Sequence, residues 1–287
     1  MRRSVRQSVL DHLIQYKRSV LRLSQPGLYA HGNRLLEKGH ILPCPRDTWQ
    51  FNLLPSCRPD NIDDLPFPLH KYFHHLNSSQ ALCLNLFTPL VTHSKLPLID
   101  DALSLQRSHR QDLVGTFEKQ SELEVVRGDQ RRTSFDFHLA GQEGPQVFFE
   151  VKYTEDGFGK ARRDASHVDK VKTVYRPLVE RSAYLSDDAK APSGGFVQFF
   201  LDHYQVMRNL IHVDADSHVV FLFPSWNKKV AAQAAAARES FLTPRGRGMV
   251  HIVYLEDFVD HIDTKVRQDP DLRSHYAEFR RKYLPLL

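Results

Sequence analysis

Apolar positions follow helical and extended periods in turn along the chain. Val5, Val9, Leu13 and Ile14 recur at helical spacing and predict a first helix over residues 5–23, stopped at Gln25-Pro26-Gly27. Residues 26–70 show no period. Pro43, Pro45, Pro55, Pro59, Pro66 and Pro68 predict an irregular layer, which Trp49, Phe51, Leu53 and Leu54 require to be packed on a core rather than to serve as a linker. In residues 74–90, Asn77 or Ser78 caps a helix that runs through Leu86, and Pro89 ends it. Residues 101–120 read as a polar helix carrying Leu103, Leu113, Phe117 and Glu118. The period then changes to two. Glu122–Val126, Thr133–Ala140 and Gln146–Tyr153 predict strands, the last two joined by a turn over Gly141–Pro145. Helices follow at 160–182 and 196–213, an apolar strand at 218–224, an Ala-rich helix at 230–242, a strand at 249–255, and two closing helices. Strands interleaved with helices make one α/β domain, with an N-terminal elaboration.

Composition narrows the class without changing the fold. The 287 residues are 41% hydrophobic and 25% charged, a globular balance. No run of apolar residues is long enough to cross a membrane. Cys44, Cys57 and Cys83 are odd in number and widely spaced, which argues for a reducing compartment. The Arg- and Ser-rich start has the flavour of a transit peptide, but an amphipathic basic helix explains it better, and a cytoplasmic location is expected. Thirty-nine basic against 34 acidic residues give a net charge of +5, compatible with a polyanionic partner.

The chemistry is concentrated in the two middle strands. Phe135, Phe137 and Leu139 alternate with Ser134, Asp136 and His138, while Val147, Phe149, Val151 and Tyr153 alternate with Phe148, Glu150 and Lys152. A short turn makes the pair antiparallel, so Asp136, Glu150 and Lys152 can share a face. Two carboxylates suit a hard divalent cation, and a neighbouring lysine can orient water or neutralise charge on a phosphate. The same pattern also fits a half-exposed hairpin whose polar residues are merely solvated.

Thr133-Ser134-Phe135-Asp136-Phe137 followed by Phe148-Phe149-Glu150-Val151-Lys152-Tyr153-Thr154-Glu155 resembles the PD-(D/E)-x-K nuclease superfamily. More narrowly, the chain is similar to a bacterial restriction-endonuclease-like family with Ser78-Ser79-Gln80-Ala81, Asn85, Phe87, Pro89 and Leu90 upstream. Phe117-Glu118, His167 with Lys170, and Tyr204-Gln205 with Arg208-Asn209 follow in the same order, so the likeness spans residues 72–224. Phe135 stands where the superfamily often has proline. The resemblance implies a mixed central sheet flanked by helices, with residues 1–70 as the elaboration and 71–287 as the nuclease-like domain.

It further implies Asp136 and Glu150 as Mg²⁺ (or Mn²⁺) ligands, the Val151 carbonyl as a further ligand, and Lys152 as the catalytic lysine. Glu118 would be an acid reaching the metal from a preceding helix, or else a surface carboxylate at a helix end. Gln205 and Arg208 share a helix face that would touch the site or the DNA backbone, against a plain polar stripe. Lys160, Arg163 and Lys170 lie on a basic helix suited to phosphate, although a solvated face explains any one of them. The implied activity is metal-dependent hydrolysis of DNA in a defence role. Double-strand cutting with one site per chain would call for a homodimer, and an accessory methyltransferase or motor is compatible with the likeness. The rivals are a nucleic-acid binder without turnover and a structural or toxin–antitoxin-type interaction protein. Ser78-Ser79-Gln80 suggests capping and packing rather than chemistry. His31, His40, Cys44 and Cys57 fit no common zinc spacing.

Overall fold

A computed structural model describes residues 4–43, 46–107, 109–128 and 130–285; Cys44 lies outside the described residues. In chain order the elements are α1 (Val5–Ser19), β1 (Gly27–His31), β2 (Arg34–Lys38), α2 (Ser79–Thr92), α3 (Pro97–Leu103), β3 (Val114–Gln120), β4 (Ser134–Ala140), β5 (Gln146–Val151), α4 (Ala165–Lys170), α5 (Arg176–Arg181), α6 (Asp187–Lys190), α7 (Phe196–Asp202), α8 (Tyr204–Leu210), β6 (Ser217–Phe223), α9 (Lys228–Phe241), α10 (Pro244–Arg247), β7 (Val250–Tyr254), α11 (Leu255–Lys265) and α12 (Pro270–Tyr283). A π-helical stretch, Val171–Tyr175, joins α4 to α5. No helix among the described residues is long and apolar enough to cross a membrane. The chain forms two compact units, residues 1–102 with 256–287, and residues 103–255.

In the first unit, Ser4 caps α1, which buries Val9, Leu13 and Tyr16. The irregular layer predicted over 26–70 contains a hairpin that the period did not reveal. β1 and β2 pair antiparallel around Gly32, whose φ of +58° suits a tight turn. The Ser-Ser-Gln stretch proves architectural. Ser78 Oγ accepts from Ala81 N–H and starts α2. Gln80 accepts from His70 N–H at 2.8 Å and donates to Pro68 O at 3.2 Å, pinning the proline-rich segment. Asn85 does the same one turn later, accepting from Leu54 N–H at 2.6 Å and donating to Asn52 O at 3.0 Å and Tyr283 Oη at 2.8 Å.

Pro89 does not end α2, contrary to the prediction; the helix continues to Thr92. A proline has no N–H, so the carbonyl four residues back loses its helical partner. That carbonyl belongs to Asn85, and His275 Nε2 of α12 meets it at 2.7 Å. Tyr276 Oη likewise donates to Leu86 O at 3.0 Å. The freed Asn85 carbonyl therefore has a partner from another helix, and the proline is tolerated. Asn85→Leu should cost about 1–3 kcal/mol of stability, because it leaves Leu54 N–H buried without its acceptor, whereas Asn52 O keeps Lys282 Nζ at 2.5 Å. Equilibrium unfolding followed by far-UV circular dichroism checks this.

The second unit is a mixed five-stranded sheet, order β3-β4-β5-β6-β7, flanked by helices. β3–β4 and β4–β5 pair antiparallel, and β5–β6 and β6–β7 pair parallel. The β4–β5 hairpin and the β6 and β7 strands stand where the period predicted them. The 101–120 helix does not: α3 ends at Leu103, and Val114–Gln120 is the edge strand β3. Nor do residues 122–126 form a strand; they lie in an irregular segment. That segment is held by Glu124, whose carboxylate is fully buried and accepts from Thr133 N–H and Oγ1, Tyr175 Oη and Lys170. The helix predicted over 196–213 is broken at His203 into α7 and α8.

Candidate active site

Pairing between β4 and β5 holds from Leu139↔Val147 to Phe137↔Phe149 and then stops. Beyond that point the two strands are bridged by a side chain. Asp136 Oδ2 accepts from Val151 N–H at 2.6 Å, and Lys152 N–H turns to Leu222 O of β6 at 2.9 Å. The aspartate thus sits where the ladder opens. Its neighbours are Glu150 on β5 and Lys152 just past it, both nearly buried at 5% and 7% exposure. That burial overturns the half-exposed hairpin: the strand is covered on both faces.

Every oxygen of Glu150 has a donor. Oε1 accepts from Gln205 Nε2 at 2.7 Å and meets Lys152 Nζ at 2.8 Å, while Oε2 accepts from Asn209 Nδ2 at 2.9 Å. Gln205 and Asn209 stand four residues apart on α8 and so present one face to the strand. Gln205 also accepts from Gly159 N–H at 3.0 Å, which ties the loop after Lys152 to the same side chain. Asn227 and Gln233 hold that loop further: Asn227 Nδ2 donates to Tyr153 O at 3.2 Å and Glu155 O at 3.0 Å, and Gln233 Oε1 accepts from Phe158 N–H at 2.7 Å.

Glu118 completes the acid group from a different element than expected. It lies on β3, not on a helix, and its φ is +52°. A non-glycine residue in the left-handed region inside a strand is strained, and such strain is concentrated at functional sites. Ser134 Oγ donates to Glu118 at 2.8 Å.

The electrostatics of the cluster are unbalanced. Burial, then the charges of Glu150 and Glu118, push the Asp136 carboxyl well above the ordinary aspartate value; Lys152 and the Val151 N–H only partly offset them. Burial alone would lower the Lys152 ammonium, but Glu150, Glu155 and Asp136 outweigh it and hold the lysine charged, above its ordinary value. Three acids therefore share one buried cation.

The basic residues separate into two groups. Lys160 and Arg163 are exposed and face Asp202 at 3.6 and 3.4 Å. They precede α4 rather than riding on it, since Asp164 caps that helix. Lys170 is not on a solvated or phosphate-facing surface. It is buried, paired with Glu124 at 3.2 Å, and donates to Arg131 O. Arg208 Nε donates to Thr133 Oγ1 at 2.9 Å, and its guanidinium lies 5.1 Å from the Tyr204 ring centroid. Both thus brace the segment before β4. Glu124 is the residue sequence reasoning passed over, and Asn209 stands in the resemblance without a role. The helical spacing from Gln205 marked Asn209, whereas nothing local marked Glu124.

These features define an α/β protein with a buried acid–acid–lysine cluster at the opening between two strands of a mixed sheet. A family model described as Restriction Endonuclease associating with ARP matches residues 8–284, and the chain belongs to that restriction-endonuclease-like family. No curated protein and no solved structure matches the chain.

Proposed function

We propose that this protein is a metal-dependent endonuclease of the PD-(D/E)-x-K type, hydrolysing DNA phosphodiester bonds at Asp136, Glu150 and Lys152. The supporting observation is Lys152 held against Glu150 at 2.8 Å, beside Asp136, whose carboxyl is pushed upward by burial and by Glu150 and Glu118. The donor set suits a hard divalent cation such as Mg²⁺, because the oxygens are carboxylate and carbonyl and carry surplus negative charge. Among the described residues, no group of three or more His, Cys, Asp or Glu is arranged to hold a metal ion. Asp136 and Glu150 would hold it with the Val151 carbonyl, water and substrate oxygens completing the shell, as Mg²⁺ prefers. A bound cation would polarise the phosphoryl oxygen and lower the pKa of a coordinated water.

The chain's own residues supply the rest. Lys152 keeps a positive charge next to the reacting phosphate and neutralises charge that develops there. Gln205 and Asn209 fix the Glu150 carboxylate, so both are positioning residues. Lys160 and Arg163, exposed on the loop that follows, are suited to the phosphate backbone. The family's description adds an association with ARP, which we take as this chain's partner. Cleavage by a homodimer, or beside a methyltransferase or motor, belongs to the same proposal.

The test is cleavage of plasmid, linear duplex, single-stranded DNA and RNA by purified protein with Mg²⁺ or Mn²⁺ and with chelator. Cutting of DNA that chelator abolishes supports the reading. DNA retention in a gel shift with no product under any metal favours the binder without turnover.

A further inference from the structure

Beside the acid–lysine cluster, within residues 103–255, lies a cleft of about 400 Å³. That is within the size range of pockets that enclose small organic ligands. It is built from the same elements as the cluster, a few residues further along each. Lys119 and Gln120 follow Glu118 on β3, Phe148 and Gln146 precede Glu150 on β5, and His212 follows Asn209 just past α8. Alternate strand residues share a face, so Phe148 lies about 7 Å along the strand from Glu150. Ring contacts agree: Phe148 is 5.6 Å from His212, which ends the segment whose Gln205 and Asn209 hold Glu150.

The lining has a particular chemistry. Phe148, His212 and Tyr184 line the wall with ring carbon, each less than one-tenth exposed. Both His212 nitrogens are already used, one by Arg208 O at 2.9 Å and one by Ser121 Oγ at 2.8 Å, so the ring offers only carbon to a ligand. Gln120 and Gln146 place two amides on the wall. Gln146 Oε1 meets His138 Nε2 at 3.0 Å, and its Nε2 has no partner among the described residues. Arg181 also has no hydrogen-bond or ion-pair partner among them, and Lys119 is paired with Glu122. Two cations, Lys119 and Arg181, are matched by two acids, Glu122 and Asp214. A cleft balanced in charge is not built for a phosphate. Carbon walls with amides at the edge match a neutral planar ring whose rim both donates and accepts, which is a nucleobase.

The geometry points to this cleft as the receptor for one nucleobase, drawn out of the stack next to the phosphate that the cluster attacks. The choice of DNA as the source rests on the nuclease reading; the base-binding chemistry of the cleft does not. An extruded base costs a few kcal/mol of lost stacking and pairing, least at a mismatched, modified or unpaired position. A nuclease with such a receptor would favour those positions.

Two arms test this on the full-length protein in chelator. First, the four deoxynucleosides are titrated by saturation-transfer NMR against wild type, Gln146→Leu and Arg181→Ala. Both altered residues are exposed, and because Gln146→Leu also removes the partner of His138 Nε2, far-UV circular dichroism of each variant accompanies the titration. Binding of at least one deoxynucleoside, weakened about tenfold by Gln146→Leu (about 1.4 kcal/mol), is expected. No binding by any of the four, or equal binding by wild type and Gln146→Leu, overturns the assignment. This arm needs no cleavage. A protein that cuts DNA but binds no deoxynucleoside therefore loses the cleft alone, and one that binds them but never cuts loses the nuclease reading alone. Second, the fluorescent base analogue aminopurine is moved position by position through a duplex. A several-fold rise at one position, absent in Gln146→Leu, supports extrusion into the cleft. Deoxynucleoside binding without any such rise overturns DNA as the source.

Discussion

Lys152→Met should lower the DNA-cleavage rate by roughly 10²–10³-fold, the usual loss when one preorganised charge at a reacting group is removed. Met is the informative replacement because it keeps a long apolar stem in the place of the lysine chain. Lys152 runs into a covered position, its Nζ 5.9 Å from the centroid of the Phe158 ring. Ala would add a cavity to the loss of charge. Either change breaks a buried ion pair, which typically costs about 3–5 kcal/mol. Glu150 retains Gln205 and Asn209 as donors, so the lower end of that range is expected. Lys152→Arg restores charge without the compact ammonium, and should recover stability better than rate. Initial rates on the preferred DNA, with melting temperatures alongside, separate the two effects. Undiminished cleavage by a folded Lys152→Met would sink the assignment.

Asp136→Asn should move activity and stability in opposite directions. Cleavage should fall by roughly 10²-fold or more, since a carboxylate ligand of the cation is lost. The chelated protein should nevertheless melt about 3–6 °C higher, from about 1–2 kcal/mol gained by removing a strained functional charge. The amide oxygen can still accept from Val151 N–H, so the strand opening is preserved. The pH dependence has a definite sign. The folded-state pKa of Asp136 is raised by burial and by Glu150 and Glu118, so the stability linked to its proton is fully present below the ordinary aspartate value. It is lost as pH rises through the raised folded value. Wild type and Asp136→Asn should melt together in acid and diverge as pH climbs. Mg²⁺ should close the gap near neutrality by stabilising wild type alone. Differential scanning fluorimetry across pH, with chelator and with Mg²⁺, checks each limb. A variant that melts below wild type in chelator near neutral pH would show that burial and the neighbouring acids do not disfavour the Asp136 charge.

The half of the sheet that carries the acid–lysine cluster was legible because its strands are short, apolar and bounded by a turn. In β4 and β5 the alternation predicts Asp136, Glu150 and Lys152 on one face; Lys152 meets Glu150 at 2.8 Å, while Asp136 accepts from the Val151 N–H. β3 was not legible, because an edge strand with a half-exposed Glu118-Lys119-Gln120 end reads as polar helix. Residues 122–126 misled in the other direction. Their alternation is that of a strand, yet Val125 is 80% exposed and Glu124 fully buried. The buried carboxylate is explained by Thr133, Lys170 and Tyr175, partners that no local window contains. Lys170 was misread for the same reason: a basic helix face says nothing of one lysine turned inward to an acid. Pro89 shows the limit of breaker rules, since the donor that rescues its helix comes from α12.

That rescue bears on the order in which the chain is made. His275 and Tyr276, which meet the carbonyls of α2, leave the ribosome after the whole of residues 103–255. The sheet and its acid cluster are complete in sequence while α2 still lacks its last partners. Vectorial synthesis thus releases the second unit first, and the earliest-made helices must wait for the final ones. A chain that stops before α12 would carry the whole acid–lysine cluster on a protein whose first unit is left unfinished, and quality control would read the defect there.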